Sequence, residues 1–257
     1  MEPIRQAYIQ MLTEKFDKDL PVADISHHRS KKIEESIATW QMDERANDIS
    51  DSLEPLEKEH ASNLNQKHYT AVDAYITGGL EVGETGSKLL NRHLIDRHYD
   101  KKPHETVHHY GTDHKTGQPL KTLNTDDLDD ALKQNHLEHA LTTYSGLGFD
   151  PRTILDHRNK LLLPAYTSSS TKRNVAFAYT KPHFGGEFTE RHILKISHPK
   201  GSTGLYIGNN EDLSPFGQRE HISPRNMKLT VNPDPEIHFD PKKNQKLFIW
   251  AAKRTTK

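Results

Sequence analysis

The sequence predicts an α+β fold, a helical N-terminal part followed by a β core of two packed sheets. Up to about residue 138, apolar residues recur at three- and four-residue intervals, the spacing of a helix face. From about residue 139 they fall into short segments separated by Gly, Pro and Asn, the punctuation of strands and turns. The chain is hydrophilic, with 32% apolar and 28% charged residues, yet its apolar residues gather in the C-terminal half, where a core can form. Its 257 residues suffice for one large domain, or one domain with an added lobe. We set the boundary at residue 66, with a helical region over 1–66 and the main domain over 67–257.

The first predicted helix is PIRQAYIQMLTEKF, with Ile4, Ile9, Met11, Leu12 and Phe16 at near-helical spacing and Pro3 early enough for a first turn. A charged helical stretch follows from Ser30, a candidate N-cap, with Pro55 expected to kink or end it. KHYTAVDAYITGG reads as a short helix stopped by Gly78 and Gly79, and SKLLNRHLIDRHY as another with Leu89, Leu90 and Leu94 on one side. Residues 98–121, rich in His, Lys, Gly and Pro, read as a surface excursion. NTDDLDDALKQNHLEHA resumes a helix, capped by Asn124 or Thr125, with acids in its first turn where the helix dipole favours them.

The predicted strands are ALTTYSGL, LLLPAYTSS, HILKISHP, GLYIGN, REHISP, MKLTVN and LFIWAAKRT. KKNQK near residue 244 reads as a solvated turn, and the strand with Trp250 as core. The helices would cover one side of the sheets.

Composition excludes several classes. Lys and Arg number 35 against 36 Asp and Glu, a formal charge of −1, which argues against broad electrostatic capture of nucleic acid. With no cysteine there is no disulfide, thiolate metal site or cysteine nucleophile, a usage that fits the cytoplasm. No apolar run approaches the roughly 18 residues of a membrane span, and the N-terminus lacks a secretion signal pattern. His104, His108, His109 and His114 invite a metal reading, but their spacing matches no known site and no cysteine joins them. We read them as solvated loop side chains and expect no metal.

The segment SPFGQREHIS raises the functional question. On a strand, Gln218 and Glu220 share one face with Ile222, so that face is half polar and half core, as where a strand end lines a cleft. Two further segments, LTTYSGLGFDP and LPAYTSSSTKRNVAFAYT, precede it. Any one of the three is commonplace: a Gln-x-Glu on an exposed strand, a Ser-rich turn before a helix in which Ser170 and Thr171 act as caps, a Tyr-Ser-Gly at a strand end. Their order, spacing and strand context together resemble the mono-ADP-ribosyltransferases of bacterial toxins and phages. In that family a first strand carries aromatic-Arg-Gly, a second ends in Ser-Thr-Ser before a helix, and a third carries Gln/Glu-x-Glu behind a recognition loop. Tyr144-Ser145-Gly146, Ser168-Ser169-Ser170 and Gln218-Arg219-Glu220 stand in those places, and HYTAVDAYI and LLNRHL resemble the family's helical approach to the first strand. The resemblance covers roughly residues 67–254.

The resemblance implies an NAD cleft between the two sheets, with NAD as co-substrate. Loss of nicotinamide leaves an oxocarbenium-like ribose, related to that of glycoside cleavage, and a carboxylate at its 2′-hydroxyl offsets the developing charge. Glu220 takes that role. Ser168 orients it and touches the nicotinamide ribose, while Tyr166 adds an apolar wall. Tyr144, Ser145, Gly146 and Ser170 complete the implied cofactor-binding set. Gln218 faces the incoming nucleophile as a hydrogen-bonding guide and a poor base. Family members that modify arginine usually carry Glu there, so Gln218 leans toward another acceptor, a side-chain amide or a nucleobase. Phe216, in the preceding loop, is the candidate recognition aromatic.

Ser145 departs from the family, which has Arg or His there to hold the NAD phosphates by charge-assisted hydrogen bonds. Three arrangements fit: Ser145 binds through its hydroxyl and backbone N–H; a nearby cation, Arg152, Arg158 or Arg173, substitutes; or the chain is an inactive NAD-binding relative. The presence of Ser168, Gln218 and Glu220 together favours the first two. The motif style is similar to phage-encoded enzymes that modify host proteins and also suits a bacterial toxin or effector. A host protein is the favoured acceptor and nucleic acid the alternative. Residues 1–66 could dock a target, an inhibitor or a sister subunit.

Overall fold

The computed structural model describes residues 45–77, 86–103, 105–110, 116–118, 121–180, 189–208, 210, 213, 218–240 and 244–255. The helix expected over 3–16, the Ser30 cap, the Gly78–Gly79 stop, His104, His114 and Phe216 lie outside the described residues. Five α-helices appear among those described: α1 (Arg45–Ser62), α2 (Gln66–Thr77), α3 (Gly86–Tyr99), α4 (Thr125–Gln134) and α5 (Arg173–Ala178). The strands are β1 (Val107–Tyr110), β2 (Lys121–Asn124), β3 (Leu141–Leu147), β4 (Lys160–Leu163), β5 (Thr167–Ser170), β6 (Glu190–His198), β7 (Leu205–Gly208), β8 (Glu220–Ser223), β9 (Met227–Val231), β10 (Glu236–Asp240) and β11 (Gln245–Arg254).

Strands β1 and β2 pair alone as a ribbon. The other nine run β4-β9-β11-β6-β3-β5-β8-β7, with β10 on β11. This path is two sheets joined at a seam, because β3 and β5 share one register pair, Tyr144 with Ser170. The larger half packs Leu161, Leu194, Ile196, Leu229, Phe248 and Trp250 into one cluster. The smaller half, β5-β8-β7, buries Leu205, Ile207 and Ile222 against α2, α3 and α4. Removing each large apolar side chain from water contributes about 1.5–3 kcal/mol, so each half has its own core and the polar seam runs between them.

Local rules account for most elements. Asn124 caps α4 by accepting from the Asp126 N–H, and Asp126 and Asp127 fill the first turn. Pro55 lies inside α1 and does not end it. That helix packs along β7, with Leu53 and Leu56 against Tyr206, Leu137 and Leu141, and this tertiary burial outweighs the one backbone bond that proline removes. The expected strand over 161–169 divides into β4 and β5 around Pro164, which has no N–H to offer a ladder. The surface excursion contains β1, which pairs with β2 at and just beyond the excursion's end, with Tyr110 and Leu123 of this ribbon buried. Unforeseen β10 follows Pro235 directly, and His238 at its centre is its one buried residue. Trp250 is fully buried, as expected. No helix among the described residues is long and apolar enough to cross a membrane.

Candidate active site

The seam assembles the three motifs. Ser170 faces Tyr144 across β3–β5, and in the next pairing Ser170 faces Glu220 across β5–β8. Ser145 donates its hydroxyl proton to the Ser168 carbonyl at 3.0 Å, a second strap over the seam. Ser170 Oγ donates to the Gln218 carbonyl at 2.5 Å and accepts from the Lys172 N–H at 2.9 Å. The residue capping α5 is Lys172, with no side-chain cap of its own, so the Ser170 hydroxyl ties the turn before that helix. Gly146 is required by close approach, since a Cβ there would lie 2.3 Å from the Ala176 carbonyl oxygen on α5.

Glu220 is buried, at 8% exposure, and its carboxylate takes a hydrogen bond from the Ser168 hydroxyl. Burial pushes its pKa above the usual carboxylate value, and the Ser168 bond opposes that rise. Behind Ser168 stands a chain of donors. Tyr75 on α2 has its hydroxyl 3.1 Å from Ser168 Oγ, and Asn91 on α3 donates to that hydroxyl at 3.2 Å. The second Asn91 N–H goes to the Tyr166 carbonyl at 2.8 Å, which fixes the amide's orientation. An ionised carboxylate only accepts. Proton positions then follow in one direction: Asn91 to Tyr75, Tyr75 to Ser168, Ser168 to Glu220. Burial raises the Tyr75 pKa, so its phenol keeps the proton this arrangement needs.

Gln218 precedes β8, and Arg219 between it and Glu220 has a left-handed φ of 47°. The simple strand alternation expected for Gln218 and Glu220 is therefore broken at Arg219, a rare conformation for a residue with a Cβ. The Gln218 amide meets the hydroxyl of Tyr179, donating at 3.0 Å. Tyr179 follows α5 and is 56% exposed. Tyr166 is buried below the site, edge-on to Tyr75 with ring centroids 5.7 Å apart, and its hydroxyl donates to Asp129 at 2.7 Å. It forms a wall under Tyr75 and Ser168, with its polar end turned to α4.

The candidate cations separate by position. Arg152 is ion-paired with Asp150 and lies over the Trp250 ring, on the core of the larger sheet. Arg158 donates to His157, in the turn that leads into β4. Arg173 reaches the seam, donating through Nε to the Tyr144 hydroxyl at 3.3 Å with its guanidinium over that ring. His108 and His109 make local contacts on β1, to the Glu105 carbonyl and to Thr122, and the described residues contain no cluster of three or more His, Asp or Glu able to hold a metal.

Sequence reasoning gave no role to Tyr75, Asn91 or Tyr179. A signal for the first two existed: each is a hydrogen-bonding residue on an otherwise apolar helix face, Tyr75 among Ala71, Val72 and Ile76, Asn91 beside Leu90 and Leu94. Which strand they would meet was not encoded locally.

No protein-family model matches the chain. A segment of 104 residues is 29% identical to the NAD(+)--arginine ADP-ribosyltransferase EFV of Enterococcus faecalis, covering 40% of this chain and 20% of that protein, so the match spans about a fifth of the relative's length. Among solved structures, Plx2a, an ADP-ribosyltransferase toxin from Paenibacillus larvae, aligns over 83% of this chain and 96% of its own with a TM-score of 0.51 at 15% identity. The ADP-ribosylating toxin BECa of a binary enterotoxin of C. perfringens, solved with NADH, aligns over 82% of this chain and 48% of its own, again with a TM-score of 0.51 at 15% identity. The protein is built on the fold of the ADP-ribosyltransferase toxins.

Proposed function

We propose that this protein is an NAD-dependent mono-ADP-ribosyltransferase that modifies a macromolecule, with a host protein as the favoured acceptor and a group other than arginine as the attachment point. One observation carries the reading. The buried carboxylate of Glu220 is hydrogen-bonded by Ser168 at the seam, where the first-strand, second-strand and third-strand motifs converge. In the reaction the bond between nicotinamide and ribose breaks, its electron pair leaves with nicotinamide, and positive charge grows on the ribose. Glu220, charged and shielded from water, stabilises that charge through the ribose 2′-hydroxyl. The acceptor's lone pair then forms the new bond to the ribose and the acceptor loses a proton.

Gln218 is an amide, which guides an acceptor by hydrogen bonding and does not take its proton. This supports an acceptor already nucleophilic enough or deprotonated late, and it stands against the arginine named for the E. faecalis relative. Tyr179 beside Gln218 favours a second reading, in which the acceptor is a nucleobase, because an exposed ring next to an amide suits stacking with edge recognition. The setting we propose is the cytoplasm of a bacterial or phage-infected cell, with residues 67–257 as the catalytic unit and residues 1–66 engaging a target or inhibitor.

Incubation with labelled NAD and bacterial lysate tests this. Label retained in protein after nuclease supports the first reading, label released by nuclease the second, and NAD binding without transfer would overturn both. With agmatine as an arginine probe we expect no transfer. Gln218→Glu should raise agmatine labelling to about a hundredfold above background, the usual contribution of a general base. Tyr75→Phe removes one neutral donor behind Ser168 and should slow nicotinamide release about fivefold to tenfold. It should also move the ascending limb of the rate–pH profile to higher pH, because Ser168 then stabilises the charged Glu220 less well. An unchanged profile would remove Tyr75 from the mechanism.

A further inference from the structure

We propose that Tyr179 is the specificity-determining residue on the acceptor side of the site: it holds the Gln218 amide in place and offers its ring face to the group that receives ADP-ribose. The inference rests on the transferase reading above and names the residue that decides whether the ribose cation meets the acceptor or water.

Tyr179 is fixed at both ends although its side chain is exposed. Its backbone closes the C-terminal end of α5, with the N–H on the Ala176 carbonyl at 3.1 Å. Thr180 behind it donates its hydroxyl to the Phe177 carbonyl at 2.7 Å and accepts from Arg191 at 2.9 Å. The same turn is pressed onto the first motif strand: a Cβ on Gly146 would lie 2.8 Å from the Tyr179 carbonyl carbon and 2.9 Å from the Thr180 nitrogen. At the other end, the phenol oxygen lies 3.0 Å from Gln218 Nε2 and 3.3 Å from its Oε1. Tyr179 thus bridges the first motif to the third.

Gln218 is constrained in the same way. Its carbonyl accepts from Ser170 Oγ, and the next carbonyl, that of Arg219, accepts from the Thr171 N–H at 3.3 Å. The end of β5 therefore holds the left-handed turn at Arg219. A residue with a Cβ keeps that conformation only where its surroundings over-determine it, and such turns gather at functional sites. The turn lifts Gln218 out of the strand alternation, and Tyr179 receives its amide at the end of β8, the strand that starts with Glu220. With backbone and side chain both tied, the amide has little rotamer freedom left to lose when an acceptor binds. A tyrosine ring offers a large contact area through two torsions and joins an apolar body to a polar tip, the qualities of a recognition aromatic. Here the tip is spent on Gln218 and the ring faces outward.

The test uses the full chain with labelled NAD and bacterial lysate, and measures how ADP-ribose divides between macromolecule and water. Both fates start from the same ribose cation, which takes a lone pair from the acceptor or from water, and either one then gives up a proton. Tyr179→Phe keeps the ring and removes the hydroxyl. It should lower the ratio of transfer to hydrolysis about fivefold, the range of one neutral hydrogen bond. Tyr179→Ala removes the ring as well and should lower the ratio about thirtyfold. In a Gln218→Met background, Tyr179→Phe should change the ratio no further, because the hydroxyl acts through that amide. Tyr99→Ala, at an exposed tyrosine that ends α3, should leave the ratio as it is. Melting temperatures check that each variant folds. A level ratio in Tyr179→Ala, an equal fall in Tyr99→Ala, or a full Tyr179→Phe effect without the Gln218 amide would overturn the assignment while leaving the transferase reading intact. Absence of transfer by the unaltered chain would instead overturn the transferase reading.

Discussion

Glu220→Gln should cut ADP-ribosyl transfer and NAD hydrolysis together by about a thousandfold, the upper range for losing one preorganised electrostatic group. The amide keeps the size of the side chain and its contact with Ser168, so the fold is preserved while the charge is lost. Stability moves the other way. Burial raises the folded-state pKa of Glu220 above its unfolded value of 4.5. Between those two values the folded state holds more protons than the unfolded one, so stability falls as pH rises through that window. At neutral pH the chain therefore carries the cost of a buried charge, and glutamine removes it. The variant's melting temperature should equal or exceed that of the unaltered protein at pH 7, and the difference should shrink toward pH 4.5. Transfer surviving in this variant would end the mechanism; a lower melting point at neutral pH would show that the carboxylate stabilises the seam.

The second large effect is acid sensitivity, expected as a loss of several kcal/mol of stability between about pH 6.5 and pH 4. Each histidine that the fold keeps neutral contributes roughly 1.4 kcal/mol of that loss for every pH unit below its ordinary pKa. The source is a buried histidine group around β6 and β8. His198 on β6 and His221 on β8 have ring centroids 4.6 Å apart, and His60 from α1 caps the same region, accepting from the Tyr206 N–H at 2.9 Å while its other nitrogen meets the His136 carbonyl. Thr143 from β3 bonds His198 at 2.9 Å, Ser223 lies near His221, and Arg254 from β11 is the cation facing both. Burial, then the Arg254 charge, pushes His198 down to about 3, and burial with the neighbouring His198 and Arg254 pushes His221 well below its ordinary value. Burial lowers His60 as well. Folded-state values below the unfolded 6.5 mean that only the unfolded chain binds these protons on mild acidification, so stability is lost as pH falls. Glu220 opposes the trend, as one group against these histidines. Melting temperatures from about pH 7.5 to about pH 4.5 should slope downward toward acid, and His198→Gln, which removes a deeply shifted proton site, should flatten the slope. A level curve down to about pH 5 would exclude the histidines as the cause.

Much of the fold was legible because it rests on local rules. Asn124 with Asp126 and Asp127 announces α4, the apolar faces of α2 and α3 have helical period, and each predicted C-terminal strand has a counterpart. The ribbon and β10 were hidden because their strands are short, polar and flanked by His, Gly or Pro, so that pairing partners stabilise them more than their own composition does. At the site, the resemblance of the three motifs, taken in their order, nominated Ser168 and Glu220, and the fold brings those two side chains into hydrogen-bond contact. Three things were decided only when the sheets met: that Tyr75 and Asn91 stand behind Ser168, that Arg219 takes a left-handed turn and hands Gln218 to Tyr179, and that Arg173 rather than Arg152 or Arg158 reaches Tyr144. The sequence by itself determined most of the elements and the chemical types, because capping, period and alternation act within a few residues. The tertiary structure alone decided the contacts, because hydrogen bonds between residues 16 to 93 positions apart depend on how helices and strands pack, which no short window of residues specifies.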